Sequence, residues 1–362
     1  MESLDHNWLE NKDREFTELI QTLLASRSGP LYKMMEYQLG TLDQNGEMIG
    51  TSFSNKFLGL TCTMFAGMSS NEDSNRDKLA QRYGATVEIL NLSKQVHDDI
   101  QDGAPERNGK ETVWWIWGPA QAINVGDGLH ALSRISLTDS ISMDLSNLII
   151  NSNTSFNDGY DLILNSITCF DAACLKLFEG QYEEIHLQEQ LTIPVDNYLN
   201  IIEKRAGSLF SCAAELGVIL NGNNQNDREN AIFAGSKLGL AFELNSQFEM
   251  LWGNNESAIP DSSILSKKKL LPVVYAIQNA PASIKQKLGS LYMKRVLEPA
   301  DFNQLLLVLD EFDVKEYCQN KIIEAFDQGV EAIQRLSISN PYKEKLIQYF
   351  SLVLFNTNSL QN

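Results

Sequence analysis

The sequence predicts an all-α protein, and three observations carry that prediction. Alternation of apolar and polar residues, the mark of a half-buried strand, is nearly absent. Long stretches instead repeat apolar residues at the 3.6-residue period of an amphipathic helix. The breaks between them are short and carry turn chemistry, as in Asp43-Gln-Asn-Gly46, Asn221-Gly-Asn-Asn224 and Asn254-Asn-Glu-Ser257. With 362 residues, 43% of them hydrophobic and 9% aromatic, the chain can fill a large core. No internal repeat, low-complexity linker or seam divides it, so residues 1–362 are expected to form one domain.

The first periodic stretch, 14–38, stops before the Asp43–Gly46 turn, and 53–68 follows it. In 76–101, Leu79, Tyr83, Val87, Leu90 and Val96 recur at helical spacing until the breaker run Gly103-Ala-Pro105. Segments 118–135, 139–151 and 157–178 make the middle of the chain. The stretch 195–220 closes on the Asn221–Asn224 turn and 226–252 on the Asn254–Ser257 turn. The pieces 268–280, 283–294, 300–308, 313–336 and 342–355 complete a bundle joined by short connections.

A formal charge of −18 and a pI of about 4.7 argue against nonspecific binding to nucleic acid or anionic membranes. An anionic substrate must then be drawn in by metal ions or by a local basic patch. No run of roughly 18 apolar residues is present, so a membrane span is not expected. The start, Met-Glu-Ser-Leu-Asp-His, lacks the basic and apolar regions of a signal peptide. Cys62, Cys169, Cys174, Cys212 and Cys318 are odd in number and lie in apolar helical text. They are read as buried reduced thiols of a cytoplasmic protein.

The most telling stretch is Gln95-Val-His-Asp-Asp-Ile-Gln-Asp102, a D-D-x-x-D cluster closing a helix. Asp98 and Asp102 are four apart and share a helix face, with Asp99 beside them. Three carboxylates at the negative end of a helix dipole repel one another and demand a cation. Hard oxygen donors in a row suit Mg²⁺, which usually keeps waters and shares its shell with phosphates.

The cluster does not stand alone. The segment Glu88–Asp102, then Arg107-Asn-Gly-Lys-Glu-Thr112 and Gln121-Ala-Ile-Asn-Val-Gly-Asp127, resembles the trans-isoprenyl diphosphate synthases of the polyprenyl synthetase family. The likeness continues in Gly180-Gln181, Lys204 with Leu209-Phe210, Lys237–Phe242 and Lys269-Leu-Leu-Pro272. It spans about residues 30–335, in the family's order. The resemblance implies an isoprenoid synthase fold, a single helical bundle around a central cavity. It also implies Mg²⁺ held by two aspartate-rich motifs, an allylic prenyl diphosphate as substrate, and a homodimer. Asp98 and Asp102 would be metal ligands and Asp99 a supporting acid. By matching position, Arg107, Lys204 and Lys269 would contact diphosphate and Gln181 would line the cavity.

The chain departs from the family at specific places. Where relatives read F-Q-x-x-D-D-x-x-D, this chain has Phe242-Glu-Leu-Asn-Ser-Gln-Phe-Glu-Met250. Ser246, Gln247 and Met250 then replace the aspartates. A register shifted by one offers Asn245, Ser246 and Glu249 as an altered metal motif, with Asn245 and Glu249 on one face. The isopentenyl diphosphate grip is reduced to Lys56 in Phe53-Ser-Asn-Lys-Phe-Leu-Gly59, and the paired arginines become Arg107-Asn108. The aspartate of the D-x-x-x-x-K segment becomes Ser263 and the residue after its lysine Leu270. Each lost charge-assisted contact to phosphate is worth roughly 1.5–3 kcal/mol, so ordinary elongation is disfavoured. Lys94 replaces an apolar residue that would cap the prenyl tail, and either pairs with Asp98 or points to solvent.

These departures leave three readings: ionisation of an allylic diphosphate with internal or water quenching or transfer to an unusual acceptor, a silent subunit of a heteromer with an active prenyl synthase, or conventional short-chain elongation. Other residues weigh less. Trp114, Trp115 and Trp117 are expected to pack under the preceding loop, and His97 to be structural. Glu184 is a candidate supporting acid.

Overall fold

The structure, a computed structural model, describes residues 6–49, 56–67, 74–151, 156–188, 190, 192–221, 224–253, 264, 268–294 and 297–355. Phe53–Asn55, Gly222–Asn223, Asn254–Ser257 and Ser263 lie outside these residues. The elements are α1 (His6–Ala25), α2 (Pro30–Leu39), α3 (Phe57–Phe65), α4 (Ser74–Asp102), β1 (Glu106–Arg107) and β2 (Lys110–Glu111). Then come α5 (Val113–Trp117), α6 (Pro119–Asn151), α7 (Phe156–Gln188), α8 (Val195–Ile219) and α9 (Gln225–Trp252). The chain ends with α10 (Leu271–Asn279), α11 (Ala282–Tyr292), α12 (Pro299–Asp310), α13 (Val314–Gln334) and α14 (Asn340–Phe355).

The all-α reading holds, and its boundary errors have local causes. The stretch 14–38 splits in two because Gly29 takes a positive φ of 123° and Pro30 starts a new helix at its first position. Segments 118–135 and 139–151 are one helix, α6. The polar residues between them are satisfied in place: Thr86 on α4 donates to Ser136 at 3.1 Å, and Thr138 donates to the Ile135 carbonyl at 2.9 Å. Helix α7 runs ten residues past 178 to Gln188, and on this extension Gln181, Glu184 and Leu187 share a buried face while Tyr182 and Ile185 are exposed.

Helix α4 packs on α3, α6 and α8, and α8 lies between α7 and α9. The crossing of α8 and α9 is tight. A Cβ on Gly239 would stand 2.8 Å from the Gly207 Cα, so small residues set this spacing. One apolar cluster gathers Phe16, Tyr83, Phe170 and Tyr349, and another gathers Tyr198, Leu244, Leu288 and Leu309. The last helix seals the first cluster, with the Tyr349 hydroxyl donating to the Phe57 carbonyl at 2.9 Å. All five cysteines are buried and free of disulfides. No described helix is long and apolar enough to cross a membrane.

Candidate active site

The last turns of α4 and α7, the middle of α8, the face of α9 and the residues just before α10 converge on Asp98. This carboxylate is almost fully buried and receives three side chains. Lys94 Nζ lies 2.7 Å and Arg205 Nη2 2.8 Å from Asp98 Oδ2, while Gln181 donates to Oδ1 at 3.0 Å. Burial alone would raise the Asp98 carboxyl, but Arg205, Lys94 and Lys268 together hold it well below the usual range. Lys94 thus forms the neutralising pair with Asp98 rather than pointing to solvent, and its side chain is 12% exposed.

Asp99 is served by the hairpin that follows the helix. Arg107 Nη2 lies 2.6 Å and Nε 2.7 Å from Asp99 Oδ1. The two-residue turn uses Asn108 and Gly109 at φ 52° and 73°, the combination that a tight hairpin requires. Asn108 therefore serves the turn, which explains an asparagine where relatives carry a second arginine. Burial pushes the Asp99 carboxyl up to about 6 against the pull of Arg107.

Asp102 and Glu184 share Lys268. Its Nζ is 2.9 Å from Asp102 Oδ2 and 3.7 Å from Glu184 Oε1. Arg205 Nη1 reaches Glu184 at 2.7 Å, so the guanidinium ties α4 to α7. Arg205 Nε is buried and has no hydrogen-bond partner among the described residues, an open donor inside the cluster. A cavity of about 440 Å³ adjoins it, lined among others by His97, Gln101, His130, Phe178 and Gln181. His97 is held by Asp127 at 3.4 Å, and Trp114 donates to the Ala104 carbonyl of the loop at 2.6 Å.

Several residues singled out from the sequence are not brought to this cluster. Lys204 pairs with Glu183 at 2.6 Å on the outer side of α8, both more than a third exposed. Lys269 donates to the carbonyls of Leu187, Gln188 and Gln190 and pins the α7–α8 connection. Asn245 donates to the Leu354 carbonyl at 3.0 Å, facing α14, and the Glu249 carboxylate packs beside Gly253. The α9 face that meets the cluster carries Glu243 and Gln247. Gln247 accepts from Tyr198 and from the Leu271 amide and donates to Glu243 at 3.2 Å.

Arg205, Lys268 and Glu243 are the residues that sequence reasoning missed, and two of them had signals. Arg205 lies three residues after Ile202 and four before Leu209, on the buried face that Lys204 does not share. Counting five from Ser263 in the D-x-x-x-x-K spacing reaches Lys268, not Lys269. Glu243 had no signal, because it stands where relatives carry an uncharged glutamine.

Lys56 is sealed elsewhere. It is 2% exposed, 3.9 Å from Asp13 Oδ1 on α1 and next to Glu88 on α4. Glu88 lies ten residues before Asp98 in one helix, roughly 15 Å along its axis. Burial raises the Glu88 carboxyl to about 7 despite Lys56 and the Gly59 amide, which donates to it at 2.8 Å. The folded chain therefore keeps a proton that the unfolded chain loses near 4.5. Stability is expected to fall by about 3 kcal/mol as pH rises between those values. Glu88→Gln should flatten that slope in urea titrations at about pH 5 and about pH 7.5, and an unchanged slope would refute the assignment.

The donor types suit a hard divalent ion on one side only, and there a cation of the protein already sits. Asp102 and Glu184 converge on the Lys268 ammonium with Asp98 close by, so carboxylate oxygens already surround one cation. On α9 the facing residues are Glu243 and a fully engaged Gln247, and the fit fails there. Among the described residues no group of three or more acids, histidines or cysteines is arranged to hold a metal, since each carboxylate of the D-D-x-x-D run closes on an internal cation.

An all-α bundle with an aspartate run at a helix end, facing cations from neighbouring helices, defines an isoprenoid synthase fold. The chain matches the polyprenyl synthetase family over residues 46–309 and belongs to that family. It is 28% identical over 291 residues to a geranylgeranyl diphosphate synthase of Mycobacterium tuberculosis, covering 78% of this chain and 75% of that protein. A (2E,6E)-farnesyl diphosphate synthase of Mycobacterium bovis is 22% identical over 321 residues, covering 87% and 83%. The polyprenyl synthetase structure from Streptomyces coelicolor superposes with a TM-score of 0.80 at 21% identity, covering 97% of this chain and 100% of that one. A geranylgeranyl pyrophosphate synthase from Corynebacterium glutamicum, complexed with isoprenyl diphosphate and magnesium, gives 0.78 at 15%, covering 96% and 99%. At such identities the structural likeness shows the fold alone.

Proposed function

We propose that this chain binds an allylic prenyl diphosphate at the Asp98 cluster, ionises it, and quenches the carbocation without isopentenyl diphosphate. One observation carries the reading. Arg107, Arg205 and Lys268 converge on the motif carboxylates, while Lys56, the remaining cation of the second-substrate grip, is sealed against Asp13 and Glu88. Diphosphate oxygens would take N–H donors from Arg107 and Lys268 and from the open Arg205 Nε. Asp102 and Glu184, rather than the Asp98 oxygen already shared by Lys94 and Arg205, would hold Mg²⁺, which when bound would neutralise charge on the leaving diphosphate. The allylic C–O bond breaks, its electron pair leaves with the diphosphate, and the cation either loses a proton to the departed diphosphate or takes up water, whose extra proton goes to the same group. Gln181 orients the head through Asp98.

A second reading, a silent subunit that modulates an active prenyl synthase, is favoured by the closure of every motif carboxylate on an internal cation. A homodimer belongs to the proposal as well, since Leu175 and Tyr182 on α7 are 62% and 75% exposed and a partner would cover them. Incubation with geranyl, farnesyl and geranylgeranyl diphosphates and Mg²⁺, with and without isopentenyl diphosphate, separates the readings. Hydrocarbon or alcohol from the allylic substrate alone is the expected result. A longer diphosphate would establish elongation, and silence with co-purification of a second synthase would establish the subunit role.

A further inference from the structure

Lys94 is the residue of this site that the proposed chemistry leaves unused. It stands one turn before Asp98 and shares Asp98 Oδ2 with Arg205, at 2.7 and 2.8 Å. All three side chains are nearly buried, at 12% exposure for Lys94 and 5% for each of the others. A carboxylate oxygen carrying two fixed cations is a poor ligand for a divalent ion, because the ion would meet both positive charges at close range in a dry site.

The opposite wall matches this loss. Helix α9 presents Glu243 and the uncharged Gln247 to the cluster, with the uncharged Ser246 and Met250 beside them. The half-buried Glu243 carboxylate has Arg205, Lys94 and Lys268 as its neighbouring cations. Around the head site, Asp98, Asp99, Asp102, Glu184 and Glu243 are thus set against Lys94, Arg107, Arg205 and Lys268. Helix α9 thus offers a single acid to the gap, and α4 supplies a fixed cation to it.

We propose that the Lys94 ammonium replaces a divalent ion between α4 and α9, so that the head site takes a diphosphate with at most one metal ion, held on the Asp102–Glu184 side. The inference rests on reading the cluster as a diphosphate head site. Its function is to make binding of the head group tolerant of low divalent ion. Lys94 is a positioning residue here, since it acts through Asp98 and Glu243.

The test counts Mn²⁺ bound per chain in the presence of inorganic diphosphate, by the electron paramagnetic resonance signal of free Mn²⁺. Wild type, Lys94→Met, Lys94→Gln and Lys94→Arg are compared, with thermal melts to check folding. Wild type should hold no more than one ion per chain. Lys94→Met or Lys94→Gln should gain an ion or bind Mn²⁺ at least about tenfold more tightly, and Lys94→Arg should behave as wild type. If Lys94→Met does not fold, Lys94→Gln and the wild-type count decide. Two or more ions on wild type, no gain in the neutral variants, or a gain in Lys94→Arg would overturn the inference. Diphosphate bound with two or more ions leaves the functional reading intact. Absence of diphosphate binding in every variant, with or without metal, overturns both.

Discussion

Replacing Arg205 with methionine is expected to lower stability by about 3–5 kcal/mol, the cost of leaving buried carboxylates without their cation. Both ends of its guanidinium are engaged, one on Asp98 at 2.8 Å and the other on Glu184 at 2.7 Å, and Glu243 lies within its field. Methionine fills similar volume, so the loss reports charge rather than a cavity. Arg205→Lys keeps the charge but loses the planar fork that spans α4 and α7, and should fall between the two. Denaturant titration reads this directly, and a loss below about 1 kcal/mol would show that the cluster is not held by Arg205.

Replacing Asp98 with asparagine is expected to reduce consumption of an allylic diphosphate by about a thousandfold or more, since it removes the carboxylate on which Lys94, Arg205 and Gln181 converge. Its carboxyl titrates well below the usual range because fixed cations surround it. The stabilisation from that shift is present above the unfolded value and is lost only as pH falls toward the folded one, so wild type should keep its site charge at neutral pH. Asn245→Ala and Glu249→Ala should leave turnover within about twofold, because those side chains face Leu354 and Gly253 rather than the cluster. Steady-state release of inorganic diphosphate measures all three variants. Equal loss from Asn245→Ala and Asp98→Asn would restore the shifted metal motif.

The parts of this site that sequence reading captures are those fixed by local periodicity. The end of α4, with Asp98 and Asp102 one turn apart, is dictated by the apolar spacing before it and the Gly103-Ala-Pro105 break after it. Arg107 comes from the family resemblance alone, and the Asn108-Gly109 hairpin that sets it on Asp99 is not read from the sequence. The cations from distant helices are harder. Lys204 and Arg205 are adjacent, as are Lys268 and Lys269, and only the rotation of each segment against its neighbours decides which member points inward. In α8 a rotation of about 100° per residue separates the site residue Arg205 from Lys204 and its surface pair. Lys268 and Lys269 precede a helix and follow no such period. Glu243 escapes for another reason, because its charge makes sense only once Lys94 and Arg205 are seen opposite it. The join of α6 is hidden similarly, since Ser136 and Thr138 read as a polar break until Thr86 supplies the partner across α4.

Calorimetric titration with a non-ionisable allylic thiodiphosphate, in the presence of Mg²⁺, tests most directly where the head group sits. Lys268→Met should weaken binding at least about tenfold, the loss of one charge-assisted contact, while Lys269→Met and Lys204→Met should bind as wild type does. Unchanged affinity in Lys268→Met, with loss in Lys269→Met or Lys204→Met, would place the diphosphate elsewhere and contradict the site described.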